Sequence, residues 1–214
     1  GISLFLAPKF LPDAAGNPGE PNAVRPVGIE HKLGINASPT CVMSFEGARA
    51  WLVGQVNQGL AHMFTMMNAA RLSVGVEGVG VAERAFQQAL AYALDRRQGR
   101  SPATGQPNAP IFEHPDVRRM LTLSKAKIEA ARGICFSTAV AADLARHTAD
   151  PEAAARWKRR EDLLVPIAKA WSTDVGVEVA STGVQVHGGM GFVEETGAAQ
   201  HYRDARIAPI YEGT

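Results

Sequence analysis

The sequence predicts a mainly α fold, an antiparallel up-down bundle of long helices preceded by a few strands. Three observations predict it. From Asn57 onward apolar residues recur at intervals of three, four or seven, the period of a helix with one buried face. Before that point, short runs rich in β-branched residues are separated by Gly, Pro and Asn clusters, the pattern of strands and turns. Between the helical stretches stand strong stop and start signals, above all Gly99 and Ala149-Asp150-Pro151.

The first element is the apolar run Ile2–Leu6, stopped by Pro8. Val24–His31 and Pro39–Phe45 are the next strands, and 13–23 (DAAGNPGEPNA) reads as a turn-rich loop between the first two. Three strands without a partner sheet cannot bury a stable face. Residues 1–56 therefore read as the remnant of a larger β-domain, and 57–214 as the helical domain. Gly1 opens straight into a strand, and Thr214 follows Tyr211-Glu212-Gly213 with no tail. Both ends are expected to be cuts through a longer protein.

The first helix carries Leu60, Phe64, Met67, Val74, Val81, Ala85, Ala89 and Tyr92 on one stripe. It spans about 40 residues, roughly 60 Å at 1.5 Å per residue, and ends at Gly99 and the loop 101–110. The second runs from Pro115 to about His147, with Val117, Met120, Leu121, Ile128, Ala131 and Cys135 inward. Asp150 caps the third and Pro151 takes its first position. Leu164, Ile167, Trp171, Val175, Val179 and Val186 supply its stripe, and Pro166 either kinks it or marks its true beginning. The glycine turn HGGMGF (187–192) leads into a shorter helix from about Glu195 to Ala208.

Composition excludes some functions. Lys and Arg total 22 against 21 Asp and Glu, so no strong field favours nucleic acid as a partner. No apolar run reaches the roughly 18 residues of a membrane span, and the start lacks the marks of a signal peptide. Cys41 and Cys135 stand far apart, with no metal spacing and no disulfide framework, which fits a reducing, cytoplasmic setting.

Four places could carry chemistry. Arg71 falls on the buried stripe, between Met67 and Val74. A guanidinium there must be ion-paired, snorkelling to the bundle edge, or aimed at a ligand. Arg96-Arg97-Gln98-Gly99-Arg100 either complements the helix dipole or clamps a phosphate. Gly188-Gly189-Met190-Gly191 lets a backbone approach a ligand, or simply turns the chain. Glu212, between Tyr211 and Gly213, is either a general base or a solvated surface carboxylate.

The order of these motifs narrows the choice. QVHGGMGFVEETGAAQHYRDARIAPIYEGT (185–214) closely resembles the C-terminal signature of acyl-CoA dehydrogenases, and GIEHKLGINASPT (28–40) resembles an element near the end of their middle β-domain. Asn57-Gln58-Gly59-Leu60 resembles the entry to their first long C-terminal helix. The long loop 101–114 and the wording HKLGINASPT suggest the larger branch that includes methylmercaptopropionyl-CoA dehydrogenases.

The resemblance implies an FAD-dependent α,β-dehydrogenation of an acyl-CoA thioester to trans-2-enoyl-CoA. Glu212 matches the family's catalytic base. Some members place the base immediately before the residue matching Arg71, but here that position is Ala70. Arg71, Asn68, Tyr211 and Gly213 match positions near the substrate. Gln185, Gly188 and Gly189 match contacts to the adenosine–pyrophosphate part of FAD, usually made from a neighbouring subunit. Arg96 and Gln98 match a pyrophosphate clamp whose Thr and Phe are missing here, and Thr214 matches a residue on the flavin side. The implied partners are acyl-CoA, an electron-transfer flavoprotein and further copies of the chain, as a homodimer or homotetramer. The 214-residue chain alone is expected to be inactive and flavin-free. An acyl-CoA oxidase, or a non-catalytic flavoprotein relative used for binding, would share the same motifs.

Overall fold

The computed structural model describes residues 1–213 and divides into two compact units, Gly1–Asn68 and the chain from Ala69 onward. The first unit holds six short strands, β1 (Leu4–Leu6), β2 (Phe10–Pro12), β3 (Pro18–Pro21), β4 (Val24–Ile29), β5 (Cys41–Phe45) and β6 (Trp51–Val53). They pair as three separate antiparallel ribbons, β1 with β6, β2 with β3, and β4 with β5. Leu4 stands opposite Val53, and Val24 opposite Phe45. β2, β3 and β6 were not anticipated, and β3 lies inside the stretch expected as a loop. Its ribbon is built on turn chemistry, with Asp13 Oδ1 accepting from the Ala15 and Asn17 amides at 2.9 Å. No residue of 1–58 is buried.

Helix α1 (Gly59–Asp95) begins in the first unit and continues into the second. Leu60 and Phe64, expected on its stripe, are exposed. Beyond Ala69 the stripe holds, with Val74, Ala85 and Ala89 buried. Helix α2 (Pro115–His147) starts on its proline and buries Leu121, Ile128, Ala131 and Cys135. Helix α3 (Pro151–His187) starts where Asp150 accepts hydrogen bonds from the Glu152 and Ala153 amides. Pro166 lies in its interior rather than at its start. The Asp150–Pro151 signal nucleates the helix first, and one missing N–H downstream leaves only the Asp162 carbonyl without its usual bond.

Side-chain contacts give the direction of each helix. Lys127 on α2 bonds Glu178 on α3, and Cys135 meets Ser172, so α2 and α3 run antiparallel. Gly75 and Gly78 on α1 meet Ala168 and Ser172, while Gly183 meets Ala85, so α1 and α3 run parallel. Helix α4 (Ala198–Ala205) returns antiparallel to α1, bringing His201 to Gln88 and Tyr211 to Glu77. The result is an up-down-up-down bundle.

Two corrections concern the face that α3 buries and the length of α4. Val175, Val179 and Val186 of α3 are buried as expected, but Ile167 and Trp171 are exposed, and Val165, Ala168, Lys169, Ser172, Thr173 and Gly176 share the buried face. A Cβ added at Gly78 would lie 2.6 Å from the Ser172 carbonyl oxygen, so α1 and α3 approach too closely for large side chains at their crossing. Helix α4 is shorter than expected because Glu194–Thr196 is a 3-10 turn closed by Gly197 at φ +78°, and 206–212 continues as tight turns.

Candidate active site

The turns after α4 are the local structure that carries Glu212. Amide-to-carbonyl bonds from Arg206 to Arg203, Ala208 to Ala205 and Ile210 to Ile207 wind the backbone tightly. The winding ends with two left-handed residues, Glu212 at φ +64° and Gly213 at φ +72°. A non-glycine residue there costs roughly 1–3 kcal/mol and persists only where its surroundings impose it. At Gly213 a side chain would carry the same conformational cost, and its Cβ would also crowd Arg71 Nη2 at 3.2 Å.

Three side chains impose the conformation. Arg71 Nε on α1 donates to the Glu212 carbonyl at 2.9 Å. Lys169 Nζ on α3 donates to the Pro209 carbonyl at 3.1 Å. The Tyr211 hydroxyl donates to the Glu77 carboxylate on α1. Burial, and then the Glu77 carboxylate, pushes the Tyr211 phenol well above its ordinary value, so it stays a donor. Both cationic bonds end on main-chain oxygens. The Glu212 Oε2 atom is buried and has no hydrogen-bond partner among the described residues.

A buried polar atom without a partner is uncommon and calls for a reason. Here the reason is chemical. A general base needs a lone pair that nothing in the protein occupies, at a place a substrate proton can reach. Sequence reasoning anticipated Glu212 and Arg71, but not Lys169 or Glu77. Lys169 lies four residues after Val165 and three before Ser172, both buried, but neither of those belongs to the stripe read from the sequence, so the register test that singled out Arg71 does not reach it. Asn68 is exposed on α1 in the first compact unit.

The other anticipated residues fall in two places. Arg96, Gln98, Gly188 and Gly189 line one cavity of about 330 Å³, beside Tyr92 and His187. The basic run divides its work there. Arg97 and Arg100 donate to the Asn108 and Gly105 carbonyls and tie down the loop, while the exposed Arg96 guanidinium has no bond among the described residues. Gly188 adopts φ +60°, ψ −137°, a region open essentially to glycine alone. A Cβ at Gly188 or Gly189 would meet nothing within 4 Å, so both backbones face open space.

His187 was missed by the sequence reading. It is buried, stacks on Tyr92 at 4.3 Å between ring centroids, and hydrogen-bonds the Gly183 carbonyl through Nδ1 at 2.7 Å. A carbonyl only accepts, so Nδ1 carries the proton. Gln185 is not brought to this cavity. It lines a separate one of about 330 Å³ between α2 and α3, with Ser124, Lys127 and Glu178. Thr214 lies outside the described residues. Among the described residues no group of three or more His, Cys, Asp and Glu could hold a metal, and no helix is long and apolar enough to cross a membrane.

A family model for the acyl-CoA dehydrogenase C-terminal domain matches residues 57–214. The chain belongs to the acyl-CoA dehydrogenase family. It is 52% identical over 216 residues to a 3-methylmercaptopropionyl-CoA dehydrogenase of Ruegeria pomeroyi, covering all of this chain and 36% of that protein. Among solved structures it resembles Caenorhabditis elegans ACDH-11 in complex with C11-CoA, at 25% identity and a TM-score of 0.84 over 99% of this chain and 33% of that one. It also resembles an acyl-CoA dehydrogenase complexed with FAD from Bacillus anthracis, at 29% identity and a TM-score of 0.77 over 90% of this chain and 33% of that one. The chain thus spans about a third of the length of these relatives.

Proposed function

We propose that the protein is an FAD-dependent acyl-CoA dehydrogenase in which Glu212 is the catalytic base. The observation that carries this reading is the buried, unpartnered Oε2 of Glu212, held on a strained turn by Arg71. Glu212 takes the α-proton of an acyl-CoA thioester on this oxygen. FAD, when bound, would supply the acceptor for the β-hydride, and the α C–H electron pair would remain as the new double bond of trans-2-enoyl-CoA. The α-proton of a thioester is too weakly acidic for a carboxylate in water, so a base placed against it out of bulk solvent is what the chemistry requires.

The residues present fit FAD. Arg96 offers an unpaired guanidinium to a pyrophosphate, and Gly188 and Gly189 offer open backbone beside it. Gln98 shares that cavity, and Gln185 and Thr214 are assigned to the same cofactor by resemblance. Arg71, Tyr211, Gly213 and Asn68 are assigned to the substrate side. Acyl-CoA as substrate is supported by the names of the relatives. An electron-transfer flavoprotein as acceptor, a cytoplasmic setting and a homodimer or homotetramer complete the proposal. Exposed Leu123, Phe136, Leu163 and Trp171 on α2 and α3 support assembly. Given the share of its relatives that it spans, the 214-residue chain alone is proposed to be inactive.

The test is anaerobic titration of the full-length protein with acyl-CoAs of increasing length, with flavin absorbance as the readout. Bleaching in the parent and none in Glu212→Gln is expected. Bleaching that survives in Glu212→Gln refutes the base assignment, and no bleaching with any acyl-CoA despite bound FAD refutes the activity.

A further inference from the structure

Lys169 is the most deeply buried charged residue of the bundle, only 1% exposed. Taking an ammonium out of water costs several kcal/mol unless partners replace the lost solvation. A methionine or leucine in the same place on α3 would pack without that penalty, so packing does not explain the charge. Its surroundings show what the charge meets. Its Nζ donates a hydrogen bond to the Pro209 carbonyl at 3.1 Å. Burial pushes the ammonium's pKa down, the negative charges of Glu212 and Asp174 push it up, and Arg71 opposes them.

Pro209 lies three residues before Glu212, at the centre of the tight turn. Among the described residues, a side chain of α3 grips that turn at the Pro209 carbonyl, as Arg71 and Glu77 grip it from α1. Without the α3 contact the turn would be held from one side only. The close crossing of α1 and α3 at Gly75, Gly78 and Gly176 is what brings Arg71 and Lys169 to the same stretch of backbone.

We propose that Lys169 is a positioning residue for the catalytic turn: from α3 it holds the Pro209 carbonyl, so that Glu212 keeps its left-handed conformation with one carboxylate oxygen free. This rests on the reading of Glu212 as the base. The grip requires a donor more than a charge. Lys169→Met keeps the volume and removes the donor, whereas Lys169→Gln keeps an N–H donor and removes the charge.

The experiment is rapid-mixing flavin reduction by acyl-CoA in the full-length holoenzyme, for the parent, both Lys169 variants and Glu212→Gln. The dissociation constant of the enoyl-CoA product is read from flavin absorbance in parallel. Lys169→Met is expected to slow flavin reduction by about 10- to 100-fold, the scale of a catalytic group displaced by an ångström, with product affinity unchanged. Lys169→Gln is expected to restore the rate to within about tenfold of the parent.

Reduction at the parent rate in Lys169→Met, while Glu212→Gln is silent, overturns the inference and leaves the base assignment standing. Equal slowing in both Lys169 variants overturns it too, because then the donor is not what matters. Reduction that persists in Glu212→Gln refutes the underlying reading instead. Should Lys169→Met not accumulate folded, Lys169→Gln decides alone: a loss beyond about tenfold overturns the inference, and a smaller loss supports it.

Discussion

Gly78→Ala tests the helix crossing on which the site depends. A Cβ at Gly78 would stand 2.6 Å from the Ser172 carbonyl oxygen, 2.8 Å from its carbon and 2.9 Å from Thr173 Cα. All three are backbone atoms of α3 and cannot rotate aside. The oxygen contact is short of ordinary van der Waals distance by roughly 1 Å. Relieving it requires α1 and α3 to separate, which loosens the neighbouring contacts of Gly75 and Gly176 as well. Alanine gains about 1 kcal/mol over glycine in a helix interior, but overpacking of a tight contact costs about 1–3 kcal/mol. Against backbone the upper part of that range applies, and the net expectation is a loss of about 1–2 kcal/mol. Gly80, on the same helix, has nothing within 4 Å of its would-be Cβ. Gly80→Ala is therefore expected to stabilise by about 0.5–1 kcal/mol. Urea unfolding of the two variants beside the parent, followed by circular dichroism at 222 nm, measures the split. A Gly78→Ala protein as stable as the parent, or one indistinguishable from Gly80→Ala, refutes the close crossing.

Further predictions concern titration and thiol access. Burial, reinforced by the charges of Arg84 and His187 and opposed by Asp204, holds the His201 imidazole below its ordinary value of 6.5. The unfolded chain therefore binds more protons than the folded one just below pH 6.5, so stability falls as pH drops through that window. His201→Gln is expected to flatten this limb of a stability–pH curve, and an unchanged limb contradicts it. Glu83 is held below its ordinary 4.5 by hydrogen bonds from Gln87 and Arg132, so its contribution is present above that value and is lost as pH falls further. Cys135 is buried beside Ser172, and burial pushes its thiol pKa up. With an aromatic disulfide reagent Cys41 is expected to react first and Cys135 only on unfolding, and two equally fast thiols in the folded protein would contradict this.

What was legible in the sequence is what local chemistry decides. Pro115 and the Asp150–Pro151 pair announce helix starts by capping physics that needs no partner, and they stand where expected. The face that α3 buries before Val175 was misread because the reading followed large apolar side chains. At a close crossing, selection favours small residues such as Ala168, Ser172 and Gly176, which hydropathy ranks low. The ribbon strands β2, β3 and β6 escaped because three or four residues are too few for an alternating pattern to register. Arg71 was legible as a charge on an apolar stripe. Lys169 was equally in register but belonged to a face drawn in the wrong place, so the same argument passed over it. Gln185 and His187 show the converse limit: residues two apart point to different cavities, and only the fold says which.

The geometry around Glu212 follows from competing demands on one carboxylate. A base must be fixed in place, and the ordinary way to fix a carboxylate is to hydrogen-bond its oxygens. Each such bond occupies a lone pair that proton abstraction needs. This fold separates fixing from occupancy by sending its cationic donors to the carbonyls of Pro209 and Glu212 rather than to the carboxylate oxygen that stands free. Coulomb attraction acts over several ångströms in a poorly solvated site, so Arg71 and Lys169 still lend positive potential to the carboxylate without capping that oxygen. The left-handed conformation at Glu212 is then a consequence rather than an anomaly. With its carbonyl held by one helix and the turn behind it by another, the backbone has to accept a positive φ for the side chain to emerge free, and Gly213 supplies the second left-handed residue at the position where a Cβ would strike Arg71.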